Sequence, residues 1–132
     1  MSVASASVTG HDPTSGTGMV SSSGVDSDTH NYIVNLAGVS NQQYITVTLN
    51  NVHDVAGNSG NVTGPQMGVL IGDVNATGGV DGNDVSAVQS QTRQPVNSNA
   101  MARFDVNATG AIDGNDVSIT QGHTRTSLPS PP

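Results

Sequence analysis

Aspartate is the chain's only acidic residue type, and six of its ten copies fall in two short stretches of identical layout. Residues 73 to 93 read DVNATGGVDGNDVSAVQSQTR and residues 105 to 125 read DVNATGAIDGNDVSITQGHTR, identical at fifteen of twenty-one positions at an offset of 32. Counting the first Asp as position one, oxygen side chains recur at positions one, three, five, nine and twelve. In the first copy these are Asp73, Asn75, Thr77, Asp81 and Asp84; in the second they are Asp105, Asn107, Thr109, Asp113 and Asp116. All are hard oxygen donors, and the chemistry they suit is coordination of a hard cation. Calcium takes about six to eight oxygen ligands, and alternate residues of a tightly wound loop can point inward together. Position six is Gly78 or Gly110, where the chain must turn sharply and a Cβ would obstruct it. Position seven, Gly79 or Ala111, needs to supply only its backbone carbonyl, and position eight, Val80 or Ile112, is apolar, as suits paired loops meeting through a short β contact.

Turns rich in Asn, Asp and Gly, whose side chains merely cap the backbone, do not require acids at positions nine and twelve as well. Electrostatics favours the metal reading, because like charges set so close repel one another without a cation. Two Ca²⁺ carry four positive charges and would bring the formal net charge from −7 to −3. Loops of this kind are expected to be poorly ordered without metal.

The pattern DVNxTGxxDxxDV, repeated after about thirty residues and followed each time by a short helix, resembles a type I dockerin over residues 70 to 128. That resemblance implies two calcium loop-helix units packed antiparallel. It makes the ten oxygen side chains, with the carbonyls of Gly79 and Ala111, the ligands of two Ca²⁺ ions. Asp84 and Asp116 would be the bidentate ligands, and Asp113 would act through water. Two departures carry consequences. Position five is usually acidic in that family, whereas Thr77 and Thr109 are neutral; three carboxylates per loop point to the weak extracellular affinity range of about 10⁻⁴ to 10⁻³ M. The pair before the last ligand, which often carries Ser or Thr in cellulosomal dockerins and helps select the cohesin, is Gly82-Asn83 and Gly114-Asn115 here.

The elements that must hold these loops follow from the spacing beyond them. Val85 and Val88, then Val117 and Thr120 with Ile119 beside them, set a helical i, i+3 repeat, and Asp84 or Asp116 sits near each helix N-terminus, where negative charge is favoured. A further helix is expected from Ser98, carrying Ala100, Met101 and Phe104 into the second loop. The apolar face is thin, so metal must supply much of this unit's stability.

Upstream the chain is rich in Ser, Thr, Gly and Asn with period-two alternation. NQQYITVTLNNV places Ile45, Val47 and Leu49 on one face of a strand and Tyr44, Thr46 and Thr48 on the other. HNYIVNL predicts a strand centred on Ile33, QMGVLIG a buried strand entering the first loop, and SVASASVTG a strand with Ala4, Ala6 and Val8 on one face. DVAGNSGN is a turn of the kind seen in bacterial immunoglobulin-like modules, which this half loosely resembles. A full sandwich of that type needs about seven strands in roughly 100 residues, and only four or five are visible here. The expected fold is mixed β plus α, with a small antiparallel β-sandwich over residues 1–71, a dockerin-like calcium module over 72–128 and a Pro-rich tail over 129–132. A sheet short of strands leaves an open edge. Either a neighbouring copy supplies the missing strand by β-strand addition, with residues 2 to 9 as donor, or the sandwich stays small and is covered by the calcium module. Head-to-tail addition does not close on itself and builds a filament.

Composition excludes several functions. The basic residues are Arg93, Arg103 and Arg125, so a net charge of −7 repels phosphate backbones and anionic membranes. No apolar run approaches the roughly 18 to 20 residues needed to cross a bilayer. His11, His30, His53 and His123 lie in no HExxH arrangement, there is no GxSxG, and no Gly-rich loop ends in GK; His53 beside Asp54 reads as a loop hydrogen bond. Cysteine is absent, which removes disulfides and thiolate metal sites. Of the sequons at Asn61, Asn75 and Asn107, the last two coincide with expected metal ligands, leaving Asn61 for glycosylation. The expectation is a non-catalytic, extracellular or cell-surface protein of bacterial type that binds two Ca²⁺ and partners with itself in filaments. Rival expectations are a dockerin that docks onto a cohesin-bearing scaffold, and the attachment region of a larger exported enzyme or adhesin.

Overall fold

The computed structural model describes residues 2–10 and 17–130; His11 and the two final prolines of the tail lie outside them. The fold is mixed, with antiparallel sheets first and three short helices after. Two compact units meet in sequence between Val69 and Leu70.

The first unit holds β1 (Ser5–Gly10), β2 (Met19–Val25), β3 (Tyr32–Ala37), β4 (Gln43–His53), β5 (Ser59–Thr63) and β6 (Met67–Val69). β4 is the spine. β1 runs antiparallel along one side of it, from Ser5 opposite Asn50 to Gly10 opposite Ile45. β5 and β6 share the other side, with Thr63 opposite Thr48 and Met67 opposite Ile45. β2 and β3 form a separate two-stranded antiparallel sheet.

Cross-strand partners share a face, and the pairing puts Ala6 with Leu49 and Val8 with Val47. Ile45, in the same row, is buried. The opposite face is polar and bonded laterally: the Thr48 and Thr63 hydroxyls lie 3.2 Å apart, and Asn50 Nδ2 donates to Ser5 Oγ and Ser7 Oγ at 3.3 and 3.4 Å. A slip of one residue would exchange these faces, so the apolar row fixes the register.

β3 is phased differently from the expectation centred on Ile33. Tyr32, Val34 and Leu36 face inward, and Ile33 is 45% exposed. Three apolar residues lie on the Tyr32 face against Ile33, Asn35 and Ala37 on the other, and the Tyr32 hydroxyl donates to Ser23 Oγ at 3.1 Å. QMGVLIG is not a buried strand: only Met67–Val69 pair, and Met67 and Ile71 are 42% and 41% exposed, because this run lies on the sheet's flank. β2 and β5 were not expected. Their sequences, MVSSSGV and SGNVT, lack apolar alternation, and every residue of β5 is exposed. The stretch 2 to 9, named above as a donor strand, overlaps β1, which pairs with β4 of its own chain.

The turn at DVAGN closes β4 onto β5 through one carboxylate. Asp54 Oδ1 accepts from the N–H groups of Ala56 and Asn58 at 2.8 and 2.9 Å, and Oδ2 from Asn58 Nδ2 at 2.7 Å. The Asn58 side chain and then its backbone N–H hold the Asp54 carboxyl below the usual carboxylate value.

The second unit holds α1 (Gly82–Gln91), α2 (Asn99–Ala102) and α3 (Gly114–Gly122). Val74, Val88, Phe104 and Ile112 form its buried cluster, with Ala87, Val96, Met101, Val106 and Val117 partly buried against them. α2 starts at Ser98, whose Oγ accepts the Met101 N–H at 3.3 Å, and it delivers Phe104 to this core. Among the described residues no helix is long and apolar enough to cross a membrane.

Gly18, just before β2, has φ of +92°, and a Cβ there would lie 2.5 Å from Val39 Cγ2. Gly18→Ala is expected to lower stability by more than about 1 kcal/mol, since it combines a clash with a left-handed conformation costly to Ala. Urea unfolding followed by circular dichroism reads this as a lower midpoint at unchanged slope.

Candidate metal centre

Each loop is organised by two carboxylates that accept backbone N–H groups. Asp73 Oδ1 accepts from Thr77 N at 3.0 Å and its Oδ2 from Gly78 N at 2.8 Å. In the second copy Asp105 Oδ1 accepts from Thr109 N at 3.0 Å and Oδ2 from Gly110 N at 2.7 Å. The same Thr77 N–H is shared with Asn75 Oδ1 at 3.1 Å, and that of Thr109 with Asn107 Oδ1 at 3.2 Å. Oxygens from positions one and three therefore converge on a single N–H. The Thr77 hydroxyl donates to the Gly79 carbonyl at 3.2 Å, and the Thr109 hydroxyl to the Ala111 carbonyl at 3.5 Å. Oxygens of positions five and seven thus sit side by side.

Position twelve closes the loop from inside. Asp84 and Asp116 are fully buried. Asp84 Oδ1 accepts from Val74 N and Asn75 N at 3.1 and 3.3 Å, and Oδ2 from Asp81 N at 2.9 Å. Asp116 Oδ1 accepts from Asn107 N at 3.2 Å and Oδ2 from Asp113 N at 2.8 Å. Each of these aspartates is also the third residue of its helix, completing a capping box with the preceding N-cap. One side chain therefore fastens the start of the loop to the start of the helix.

Asp81 and Asp113, at position nine, are turned to the helices. Each is an N-cap, accepting the N–H of Asn83 or Asn115 at 2.7 Å. As a result no three His, Cys, Asp or Glu side chains gather into a metal-binding group among the described residues. Each loop instead carries carboxylates at positions one and twelve, both bonded to loop N–H groups, together with amide, hydroxyl and carbonyl oxygens. That donor set, without nitrogen or sulfur, fits a hard cation. Oxygens about 3.2 Å apart, as between Thr77 Oγ1 and Gly79 O, match neighbouring ligands of a cation bound at about 2.3 to 2.6 Å.

The apolar eighth positions do not pair with each other. Val80 N donates to Thr126 O at 2.9 Å and Arg125 N to Val80 O at 2.9 Å, while Arg93 N donates to Ile112 O at 3.0 Å. Gly79 bridges to Ser127, and Pro95 to Ala111. Each loop is thus clasped by the segment that leaves the other copy's helix. The expected loop-to-loop contact is replaced by this exchange because each helix delivers its following residues, already extended, beside the opposite loop.

Several structural residues carried little sequence signal. Ala76 and Ala108, at position four, have φ of 58° and 54°, and Gly78 and Gly110 have 85° and 88°. Gly72 has φ of 93°, and a Cβ on it would lie 3.3 Å from both Thr120 Cα and Val80 Cγ1. A glycine in MGVLIG gives no hint of the helix it will touch, since that helix begins some forty residues later. Thr120 is fully buried, its hydroxyl donated to Asp116 O at 2.9 Å.

Compared with known proteins, the chain matches no family model, no curated protein and no solved structure.

Asp84→Ala leaves the N–H groups of Asn75 and Asp81 without their acceptor, while that of Val74 keeps Gly72 O at 3.0 Å. Unsatisfied buried donors cost about 1 to 3 kcal/mol each, so this variant is expected to lose on the order of 3 kcal/mol in the second unit. Amide hydrogen exchange should show lost protection at the first loop and the start of α1.

Proposed function

We propose that this chain is a non-catalytic extracellular structural protein whose second unit binds two Ca²⁺ ions. The single observation that carries the reading is the pair of fully buried carboxylates, Asp84 and Asp116. Among the described residues the only ion pair is the exposed one between His30 and Asp28, so no arginine or histidine balances them. A carboxylate removed from water is costly unless paired or bound to metal, and N–H groups compensate only in part. A divalent cation beside each loop would supply the missing charge. Asp73, Asn75, Thr77, the Gly79 carbonyl, Asp81 and Asp84 would hold one ion. Asp105, Asn107, Thr109, the Ala111 carbonyl, Asp113 and Asp116 would hold the other. Asp81 and Asp113 would act through water, since both serve as N-caps. The metal would supply electrostatic crosslinking and no bond chemistry.

We read the first unit as a small antiparallel β-sandwich and the second as a pair of dockerin-like loop-helix units. Self-association by β-strand addition, building a filament, is the favoured role. In support, Val62 and Met67 leave the apolar row 53% and 42% exposed at the β5 and β6 flank. Because residues 5–10 already pair with β4, donation of that segment would be an exchange between copies. The alternative is attachment, as a dockerin on a cohesin-bearing scaffold or as the end of a larger exported protein. The duplication, with its exchanged clasps, favours that alternative.

Calorimetric titration with calcium should give two sites in the range of about 10⁻⁴ to 10⁻³ M. Thr77→Asp and Thr109→Asp, adding a carboxylate to each loop, should tighten them. Unchanged calcium binding in a double variant Asp73→Ala, Asp105→Ala would remove the loops as the sites.

A further inference from the structure

Between the end of α1 and the start of α3 lies a cleft of about 350 Å³, lined by Gln89, Thr92, Arg93, Asp113, Gly114 and Val117. Its volume falls in the range of small-molecule sites. Metal coordination asks only for Asp113 among these residues, and none belongs to the central cluster of Val74, Val88, Phe104 and Ile112.

The internal duplication bears on what the cleft is for. The offset of 32 carries each lining residue onto its own type: Gln121, Thr124, Arg125, Asp81, Gly82 and Val85. The copies differ at six of twenty-one positions, and the differences include the buried pair Val88 and Thr120. Beyond the loop, the identical positions 85, 86 and 89 lie on one side of the helix, and the identical 92 and 93 follow just past its end. The duplicated segments have thus kept these residues the same while the buried pairs Val80/Ile112 and Val88/Thr120 diverged.

Arg93 and Arg125 add a second argument. Both sit just past a helix end with φ of 69° and 72°. Gly is the usual residue at such a position because a side chain there is strained. Arginine stands there twice. The backbone N–H of each is fixed on the opposite loop, to Ile112 O at 3.0 Å and Val80 O at 2.9 Å, which anchors the base of the side chain beside the cleft.

The walls carry opposite charges that do not meet. Arg93 comes from the α1 end and Asp113 from the α3 start, and no ion pair joins them among the described residues. Val117 lines the cleft one turn along α3 from Asp113, and Gly114 puts no side chain in the way. A guanidinium offers a planar fork for a carboxylate, and Asp113 offers oxygens to an ammonium group. We infer that this cleft, and its counterpart at Arg125 and Asp81, are two equivalent sites for a small zwitterion with a short apolar body, a free α-amino acid being the simplest class.

The test uses the full chain in millimolar calcium, with L-leucine as probe and acetate as a control that offers the carboxylate alone. Expected results are saturable heats for two leucines per chain and shifts of the Gln89, Gly114 and Val117 amides in two-dimensional NMR. Arg93→Gly suits the left-handed backbone, so it should keep or raise the melting temperature while removing one site. The double variant Arg93→Gly, Arg125→Gly should bind leucine at least tenfold more weakly, with calcium heats unchanged, and Arg103→Ala should bind both leucines normally. Absence of saturable leucine binding by the parent chain, unchanged binding in the double variant, or acetate bound as tightly as leucine would overturn the inference.

Discussion

Two carboxylates buried where no basic side chain among the described residues pairs with them constrain everything else in the second unit. Asp84 and Asp116 are fully inside, answered only by backbone N–H groups from their own loops and N-caps. Those N–H groups come from the loop entry and the residue at position nine, so the loop can close only around the carboxylate. The same side chain starts the helix through its capping box. Loop, helix start and buried charge are therefore one structural decision, made twice.

Duplication alone would give two weak hairpins, each with a thin apolar stripe. The exchanged clasps make them one body. Loop one is held by residues 125 to 128 and loop two by residues 93 to 95, so neither copy completes its backbone hydrogen bonds without the other. The core between them is small, four buried apolar side chains plus Val80. A unit of about sixty residues with so modest a core is marginal without a further source of stability. Cation binding that is linked to loop closure would be such a source.

Legibility varied with how local each determinant was. The repeat and the neighbourhood of both helix starts could be read directly, because Asp84 and Asp116 act on neighbours within a few residues, whereas the N-cap role of Asp81 and Asp113 lay hidden behind their reading as metal ligands. The β4 strand was legible for the same reason, its alternation being complete. What escaped depended on partners far away in sequence. The Val80 contact with Thr126 and the close approach of Gly72 to Thr120 are set by tertiary placement. β2 and β5 escaped because their exposed, Ser- and Gly-rich residues carry no burial pattern. The phase of β3 turned on which of two half-apolar faces buried more, a choice one residue wide.

The central claim is that the buried carboxylates are the seats of a divalent cation on which the second unit depends. The most direct test is thermal unfolding of the full chain in EGTA, in magnesium and in increasing calcium. Binding to the folded state alone adds RT ln(1 + [Ca²⁺]/Kd) per site, so the melting temperature should climb steadily through the millimolar calcium range and far less with magnesium. A melting temperature that is the same in EGTA and in excess calcium would contradict the account.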